Sequence, residues 1–298
     1  MKTLKIKTPA KINLTLEIIN KRDDGYHEIK SIMQAVSLYD FLTISVEDWQ
    51  EEVNNIEIKG NSSLIPYNKS NLAYISAHKF LEKANIFNKK INIFIEKNIP
   101  VAAGLAGGSS NAAGVLWGLN ELFSRILDNS ILENLASQIG SDVNFCLQGG
   151  TQLATSRGEK LEKLPTPFLK LIIIKPKKLF ISTKQTYEKY SQFFLSKTNT
   201  KTEPMISAIK ENNLEKIAFL LNNNLEKIIL PDYIEVLNIK KYLIKNGCIN
   251  ALMSGSGPSI FGLYTESVDL SKIIKKVEEF EIYKVTSIEN GVIPTCNT

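Results

Sequence analysis

The sequence predicts an α+β protein in two units, residues 1–162 and 163–298, with a last strand that either unit can accommodate. Three observations lead there. The first half sets strand and helix patterns side by side without a strict β–α alternation, so a wholly parallel sheet is not expected. The stretch EKLPTPF, Glu162 to Phe168, carries two prolines and interrupts the pattern. Beyond it the order is strand, helices, strand, strand, helix, strand, which fits a ferredoxin-like sandwich with extra helices. A length of 298 residues suits one or two domains at ~100–200 residues each.

In chain order, Leu4 to Ile6 alternate and Pro9 interrupts. Ile12, Leu14, Leu16 and Ile18 then mark one face of a strand whose other face carries Lys11, Asn13, Thr15 and Glu17. RDDGYHE, Arg22 to Glu28, holds a turn signal at Asp24-Gly25. FLTISVED and NIEIKG are strands. Ser70 or Asn71 can cap a helix reaching Lys83. KINIFIEK alternates Ile91, Ile93 and Ile95 as a strand, and a glycine-rich loop then leads into a helix from about Ser110 to Phe123. Ser130 with Glu133 makes a capping-box pattern, and Gly140 ends that helix. SDVNFCLQGGTQLATS turns back into a strand at Thr151–Ser156.

After the prolines, LKLIIIKP is a buried strand and STKQTYEKYSQFF starts a helix. Helical patterns follow near Asn213–Asn223 and Asp232–Lys245. INALMSGSGPSIFGLYT forms two strands around a glycine turn, SVDLSKIIKKVEEF an amphipathic helix, and IYKVTSI the last strand. There is no internal repeat and no long low-complexity segment.

Hydrophobic residues make up 43% of the chain and charged residues 22%, a composition that supports a sizeable core. The net charge of +5 suits anionic small molecules, but no dense Lys/Arg stripe suggests a nucleic-acid partner. Cys146, Cys248 and Cys296 are an odd number without metal spacing, as expected of free thiols in a reducing compartment. MKTLKIKTPAKINL lacks the apolar core and cleavage site of a signal peptide. No run approaches ~18 uninterrupted apolar residues. The expectation is a soluble cytoplasmic protein with no membrane partner, and nothing in the sequence sets an oligomeric state.

The stretch PVAAGLAGGSSNAAGVLWGLNELF, Pro100 to Phe123, carries no charge until Glu121. Ala112, Ala113, Val115, Leu116, Trp117, Leu119, Leu122 and Phe123 cover most of the helix circumference, so a core helix is expected. Its first N–H groups have no intrahelical partners, and its dipole places partial positive charge there. Gly104, Gly107 and Gly108 remove side chains so that backbone N–H groups can approach a ligand, and Ser109 and Ser110 add hydroxyls. That combination makes a cradle for a phosphate chain. A Walker A loop would end in Gly-Lys-Ser/Thr, and no lysine is present. A Rossmann loop would follow its strand directly, with an acid ~20 residues on; here Pro100 intervenes and Glu121 lies inside the helix. A tight turn packed on the core, with glycine serving closeness alone, is the other reading.

This stretch resembles the second motif of the GHMP small-molecule kinases, which include galactokinase, homoserine kinase and mevalonate kinase. The form GLAGGSSNAA is similar to one branch, whose acceptor is a cytidine diphosphate-linked methylerythritol. PAKINLTLEI with DGYHEIKSIMQAVSLYD resembles that branch's N-terminal segment, GSDVNF its catalytic-acid loop, and LMSGSGPSIFGL the third family motif. The matches run in order from residue 9 to residue 263. The resemblance implies the two-domain GHMP kinase fold. The N-terminal ATP-binding domain would be ribosomal-protein-S5-like, and the C-terminal substrate-binding domain ferredoxin-like. It also implies ATP-dependent phosphorylation of the acceptor's 2-hydroxyl in the non-mevalonate isoprenoid precursor pathway, with ATP as co-substrate and Mg²⁺ accompanying it.

Carried onto this chain, the resemblance makes Asp142 the acceptor of the substrate's hydroxyl proton and Lys11 the cation that favours the ionised aspartate and the developing alkoxide. Taken alone, Asp142 reads as the N-cap of a short turn after Gly140, and Lys11 as a solvated strand residue. Lys11 and Asn13 share a strand face and can project together, which places Asn13 at the substrate. Gly104, Leu105, Ala106, Gly107, Gly108, Ser109 and Ser110 would hold the ATP phosphates. Pro100, Val101, Ala102 and Ala103 would lead to the nucleoside, with help from Asn71 and Asn111. Several relatives carry an acid where this chain has Asn111, so the resemblance assigns no protein ligand to Mg²⁺.

Tyr26 and His27 match residues that stack on and hydrogen-bond a cytosine, and Tyr187 matches a second stacking aromatic. His78 lies in a helix pattern as a structural residue. Gly255 and Gly257 would let the SGSGPS turn approach phosphates and substrate, placing the site in the cleft between domains. Two rivals stand beside this. A GHMP kinase for homoserine or mevalonate would share the phosphate machinery without needing Tyr26 and His27. A non-catalytic RNA-binding protein on the same N-terminal fold would need a basic surface, and would not need Lys11 and Asp142 beside a phosphate loop.

Overall fold

Two long strands carry the first sheet in a computed structural model that describes residues 1–193, 200–266, 268, 273 and 279–295. Strand β1 (Lys2–Lys21) and β2 (His27–Asp48) form an antiparallel hairpin closed at Asp24-Gly25, where Gly25 takes φ 84°. Pro9 does not interrupt β1. It sits at a register shift between Pro9 and Ala10, a place where a sheet accommodates a residue with no N–H. The chain continues through β3 (Asn55–Gly60), α1 (Leu72–Lys83), β4 (Lys89–Glu96), α2 (Gly107–Leu122), α3 (Asn129–Ile139), α4 (Val143–Gln148), β5 (Thr151–Ser156) and β6 (Lys160–Leu164). The early part of β2 pairs with β5 and the later part with β4, which is why β2 runs further than its FLTISVED segment alone suggests. The parallel pair β3–β4 is one edge, and β6 pairs with β5.

The four helices cover one face of this sheet, burying Phe80, Leu116, Leu135 and Phe145 against Leu42, Ile44 and Ile93. Helix α2 starts at Gly107 rather than Ser110, because Ala106 enters the left-handed region (φ 58°) and opens the helix there. Trp117, Leu122 and Phe123 are only half-buried. The closest seat of α2 is made instead by Gly114, where a Cβ would lie 2.5 Å from Thr8 Cγ2, and by Gly118, where one would lie 2.7 Å from Ile44 Cδ1. The Ser130/Glu133 capping box does not form: Asp128 is the N-cap of α3, and Glu133 accepts from Gln148 of α4 at 3.1 Å. Gly140 ends α3 as expected.

The expected break at residues 162–163 falls within β6, and the chain changes sheets between Leu164 and Lys170. The second part holds β7 (Lys170–Pro176), α5 (Thr183–Phe193), α6 (Thr202–Lys210), α7 (Leu214–Leu220), β8 (Asn222–Asn223), α8 (Glu226–Asp232), α9 (Ile234–Lys245), β9 (Asn250–Met253), β10 (Ile260–Tyr264), β11 (Phe280–Thr286) and β12 (Ile293–Pro294). Its sheet is antiparallel in the order β11-β7-β10-β9, the ferredoxin-like order. The helix expected over 267–280 lies outside the described residues apart from 268, 273, 279 and 280, and Cys296 lies outside them as well. The helix expected over Asn213–Asn223 ends at Leu220, and Asn222–Asn223 instead pair in parallel with Thr15 and Leu16 of β1.

The IYKVTSI strand stays in the second sheet as β11, while the short β12 beyond it returns to β1, pairing Ile6 with Pro294. The two sheets share a core. Ala10, Ile12 and Leu14 of β1 pack with Leu171, Ile173, Leu252 and Phe261 of the second sheet. Strand β1 is therefore covered on both faces, and Lys11, Asn13, Thr15 and Glu17 are buried. Among the described residues no helix is long and apolar enough to cross a membrane.

Candidate active site

The glycine loop rests on β1: Lys11 N donates to Leu105 O at 3.1 Å. From the second sheet, Ser254 Oγ donates to Gly104 O at 2.9 Å. Gly104 has φ 75°, and a Cβ there would overlap the Ser254 carbonyl oxygen, so only glycine lets the two turns meet. Ala106, the N-cap of α2, makes no side-chain cap bond. The amides of Gly107, Gly108 and Ser109 thus stand without a side-chain cap at the positive end of a 16-residue helix. Val101 and Ala102 reach solvent, while Pro100 and Ala103 are buried.

Three residues expected at ATP are engaged elsewhere. Ser110 is fully buried and donates its hydroxyl proton to Pro9 O at 2.6 Å, tying the loop to β1. Asn111 donates to Asp40 Oδ2 at 2.8 Å. Asn71 caps α1 through Ala73 N at 2.9 Å, and its Nδ2 donates to Pro66 O at 2.6 Å. Asp40 also accepts from Lys97 Nζ, Asn98 N and Ile99 N, each at 2.7 Å, so its buried carboxylate is fully bonded. Burial pushes the Lys97 ammonium below its ordinary pKa, and the Asp40 charge opposes that shift. Lys97 stands beneath the start of α2, where a Cβ on Gly107 would come within 2.6 Å of its Nζ. Sequence reasoning missed Asp40 and Lys97, because their pairing crosses from β2 to the residue after β4 and shows in no single periodicity.

Lys11 Nζ lies 3.5 Å from Asp142 Oδ2. Asp142 occupies the N-cap position of α4 but makes no side-chain cap bond, which frees the carboxylate; its side chain is 29% exposed against 6% for Lys11. Lys11 Nζ also donates to Asn13 Oδ1 at 2.7 Å, and Asn13 Nδ2 donates to Ser31 Oγ at 2.9 Å. Asn13, expected to bind substrate, thus has both halves of its amide bonded within the protein. Behind the pair, burial first and then the Asp142 charge push the Cys146 thiol up, so it is held as an unreactive thiol.

Tyr26 and His27 part company. Tyr26 is 54% exposed with the Arg157 guanidinium over its ring at 5.0 Å. His27 is buried, its Nε2 bonded to Ser191 of α5, and its ring stands 5.1 Å from that of Tyr187. Burial, and then Lys21, lower the His27 pKa. Burial, and then the charge of Asp142, push the Tyr187 phenol up. His78 is exposed on α1. Gly255 and Gly257 take φ 55° and 80°, and a Cβ on Gly255 would lie 3.1 Å from Gly104 O. Asn223, also missed in sequence, donates to Met253 O at 2.7 Å and to Gly255 O at 2.8 Å, anchoring that turn to β8. A cavity of about 480 Å³ lies elsewhere, along β3 and lined by Trp49, Tyr67 and Tyr74, and none of the site residues borders it.

Geometry of this kind serves a small-molecule phosphotransferase. The chain belongs to the GHMP kinase family, whose N-terminal domain matches residues 71–150 and whose C-terminal domain matches residues 205–282. GHMP kinases use ATP as phosphate donor. The chain is 42% identical over 281 residues to a 4-diphosphocytidyl-2-C-methyl-D-erythritol kinase of Syntrophomonas wolfei, covering 93% of each. It is 40% identical over 291 residues to the protein of that name from Caldicellulosiruptor bescii, covering 97% of this chain and 99% of the relative. A solved 4-(cytidine 5'-diphospho)-2C-methyl-D-erythritol kinase superposes with TM-score 0.76 at 30% identity, over 95% of this chain and 99% of the other. A homoserine kinase from Cytophaga hutchinsonii gives TM-score 0.76 at 20% identity over 99% and 98% of the two chains, a likeness of fold.

Proposed function

We propose that this chain transfers the γ-phosphoryl group of ATP to the 2-hydroxyl of 4-diphosphocytidyl-2-C-methyl-D-erythritol, releasing ADP, as a step of non-mevalonate isoprenoid precursor synthesis. The observation that carries the proposal is the Lys11–Asp142 pair at 3.5 Å, with the backbone N–H of the same lysine bonded to the glycine loop at Leu105. The choice of acceptor is supported by relatives of that name at 42% and 40% identity.

In this reading the acceptor oxygen attacks the γ-phosphorus, its proton passes to the Asp142 carboxylate, and the bond to the β–γ bridging oxygen breaks. The Lys11 ammonium stabilises the ionised aspartate and the negative charge growing on the attacking oxygen. The uncapped amides of Gly107, Gly108 and Ser109 receive the ATP phosphates. The Tyr187 ring, half-buried and set at 44° to the buried His27 ring, offers an aromatic face on which a cytosine can stack. Residues 1–162 supply the ATP site, and residues 163–298 supply the Ser254–Gly257 turn and Tyr187. Asp40 is saturated by its own partners, and the described residues hold no group of three or more metal-binding side chains. Mg²⁺ fits this site as a companion of ATP, held through phosphate oxygens and water. A cytoplasmic setting, with ATP and reduced thiols, belongs to the same proposal.

The test is ADP release with Mg²⁺-ATP and each of 4-diphosphocytidyl-2-C-methyl-D-erythritol, homoserine and mevalonate. Turnover with the cytidine substrate alone is expected. Turnover with another acceptor would retain the phosphate machinery and discard the cytidine pocket.

A further inference from the structure

The hydrogen bonds behind Lys11 have only one possible direction. At one end, an ammonium can only donate, so the Asn13 atom 2.7 Å from Lys11 Nζ is the amide oxygen. At the other end, a carbonyl can only accept, so the single proton of Ser31 Oγ goes to Thr15 O at 2.5 Å. Ser31 is left with lone pairs to receive Asn13 Nδ2 at 2.9 Å. The four residues are 0–5% exposed, so no solvent competes for these bonds. The backbone cause is a register shift: Asn13 pairs with Met33 and Thr15 with Ile32, leaving Leu14 between them without a partner in that ladder.

We propose that Ser31 is a positioning residue for phosphoryl transfer: it fixes the orientation of the Asn13 amide, which holds the Lys11 ammonium beside Asp142. This rests on the kinase reading of the Lys11–Asp142 pair. If the amide turned over, its NH₂ would face the ammonium, two donors head to head, and the ammonium would have to leave its place. The Ser31 hydroxyl opposes that turn by offering the amide nitrogen an acceptor and no proton. Of the three ammonium protons, one goes to Asn13 and one points toward Asp142, which leaves one for the reacting oxygens.

Ser31→Ala removes the hydroxyl with little change of volume. The expected result is a fall in kcat of about 10- to 100-fold with KM for ATP changed less than about twofold. In an Asn13→Ala background, Ser31→Ala should add less than about a twofold loss, because the amide through which it acts is gone. Near wild-type kcat in Ser31→Ala, or losses that multiply in the double variant, would overturn the proposal. A second readout needs no turnover. The Asn13 side-chain NH₂ should exchange slowly with solvent in NMR spectra of the wild type and quickly in Ser31→Ala. Equal exchange in both would overturn the relay. If the wild type phosphorylates none of the three acceptors while this difference is seen, the functional reading fails and the relay stands.

Discussion

Lys11 looks solvated in sequence, one of four polar residues alternating along a strand, and the structure buries all four because β1 is covered on both faces. Whether a polar strand face meets water depends on what packs over it, and the strand's own residues do not encode that. The motifs made Lys11, Asp142 and Gly104 legible. Ser110, Asn111 and Asn13 were legible only as neighbours of the site, since their partners Pro9, Asp40 and Ser31 come from other parts of the chain. Asp142→Asn should lower kcat by ~10²–10⁴-fold, the range for a positioned general base, while calorimetry finds ATP binding largely intact. His27 supplies a pH prediction. Its folded-state pKa lies below the ordinary 6.5, so the unfolded chain binds the proton more readily. Its contribution to stability is complete above pH 6.5 and is lost as pH falls toward the lowered value. Denaturant midpoints of His27→Gln should therefore vary less between pH 7 and pH 5 than those of the wild type.

At the scale of elements, most strands and helices follow from periodicity, and the departures have local causes. Helix α2 begins three residues early because Ala106 turns into the left-handed region. It is the core helix expected, with Ala112, Ala113, Val115, Leu116 and Leu119 fully buried, while its closest approach to the sheet is made at Gly114 and Gly118, which no apolar periodicity marks. Gly114→Val would push into Thr8, Leu42 and Ile6, and should destabilise the protein by ~1–3 kcal/mol, measured as a lower denaturant midpoint at unchanged slope. Strands β8 and β12 have two residues each, too short for any period, and exist because β1 offers them an edge.

At the scale of the whole molecule, the α+β class and the ferredoxin-like second sheet were readable from the order of elements. The shared core was not, because Ile12 and Leu14 lie more than 150 positions from Leu171 and Phe261 in the chain. Asn223 belongs to this scale: β8 joins it to β1, and its amide holds the Ser254–Gly257 turn against the glycine loop. Asn223→Asp keeps the acceptor for Leu225 N but sets a carboxylate oxygen against the Met253 and Gly255 carbonyls. It should raise KM for ATP about tenfold and speed amide exchange at residues 254–257 and 104–106 together.

The pairing of Ile6 with Pro294 also has a consequence for biosynthesis. A ribosome exposes β1 long before its edge partner β12, which follows it by more than 270 residues. A nascent chain released at residue 164 would carry the whole glycine loop, yet present an open strand edge and the bare apolar face of Ala10, Ile12 and Leu14. The first unit is thus completed only once Ile293 and Pro294 have emerged, by which point the second sheet is also in place, and both units become competent together.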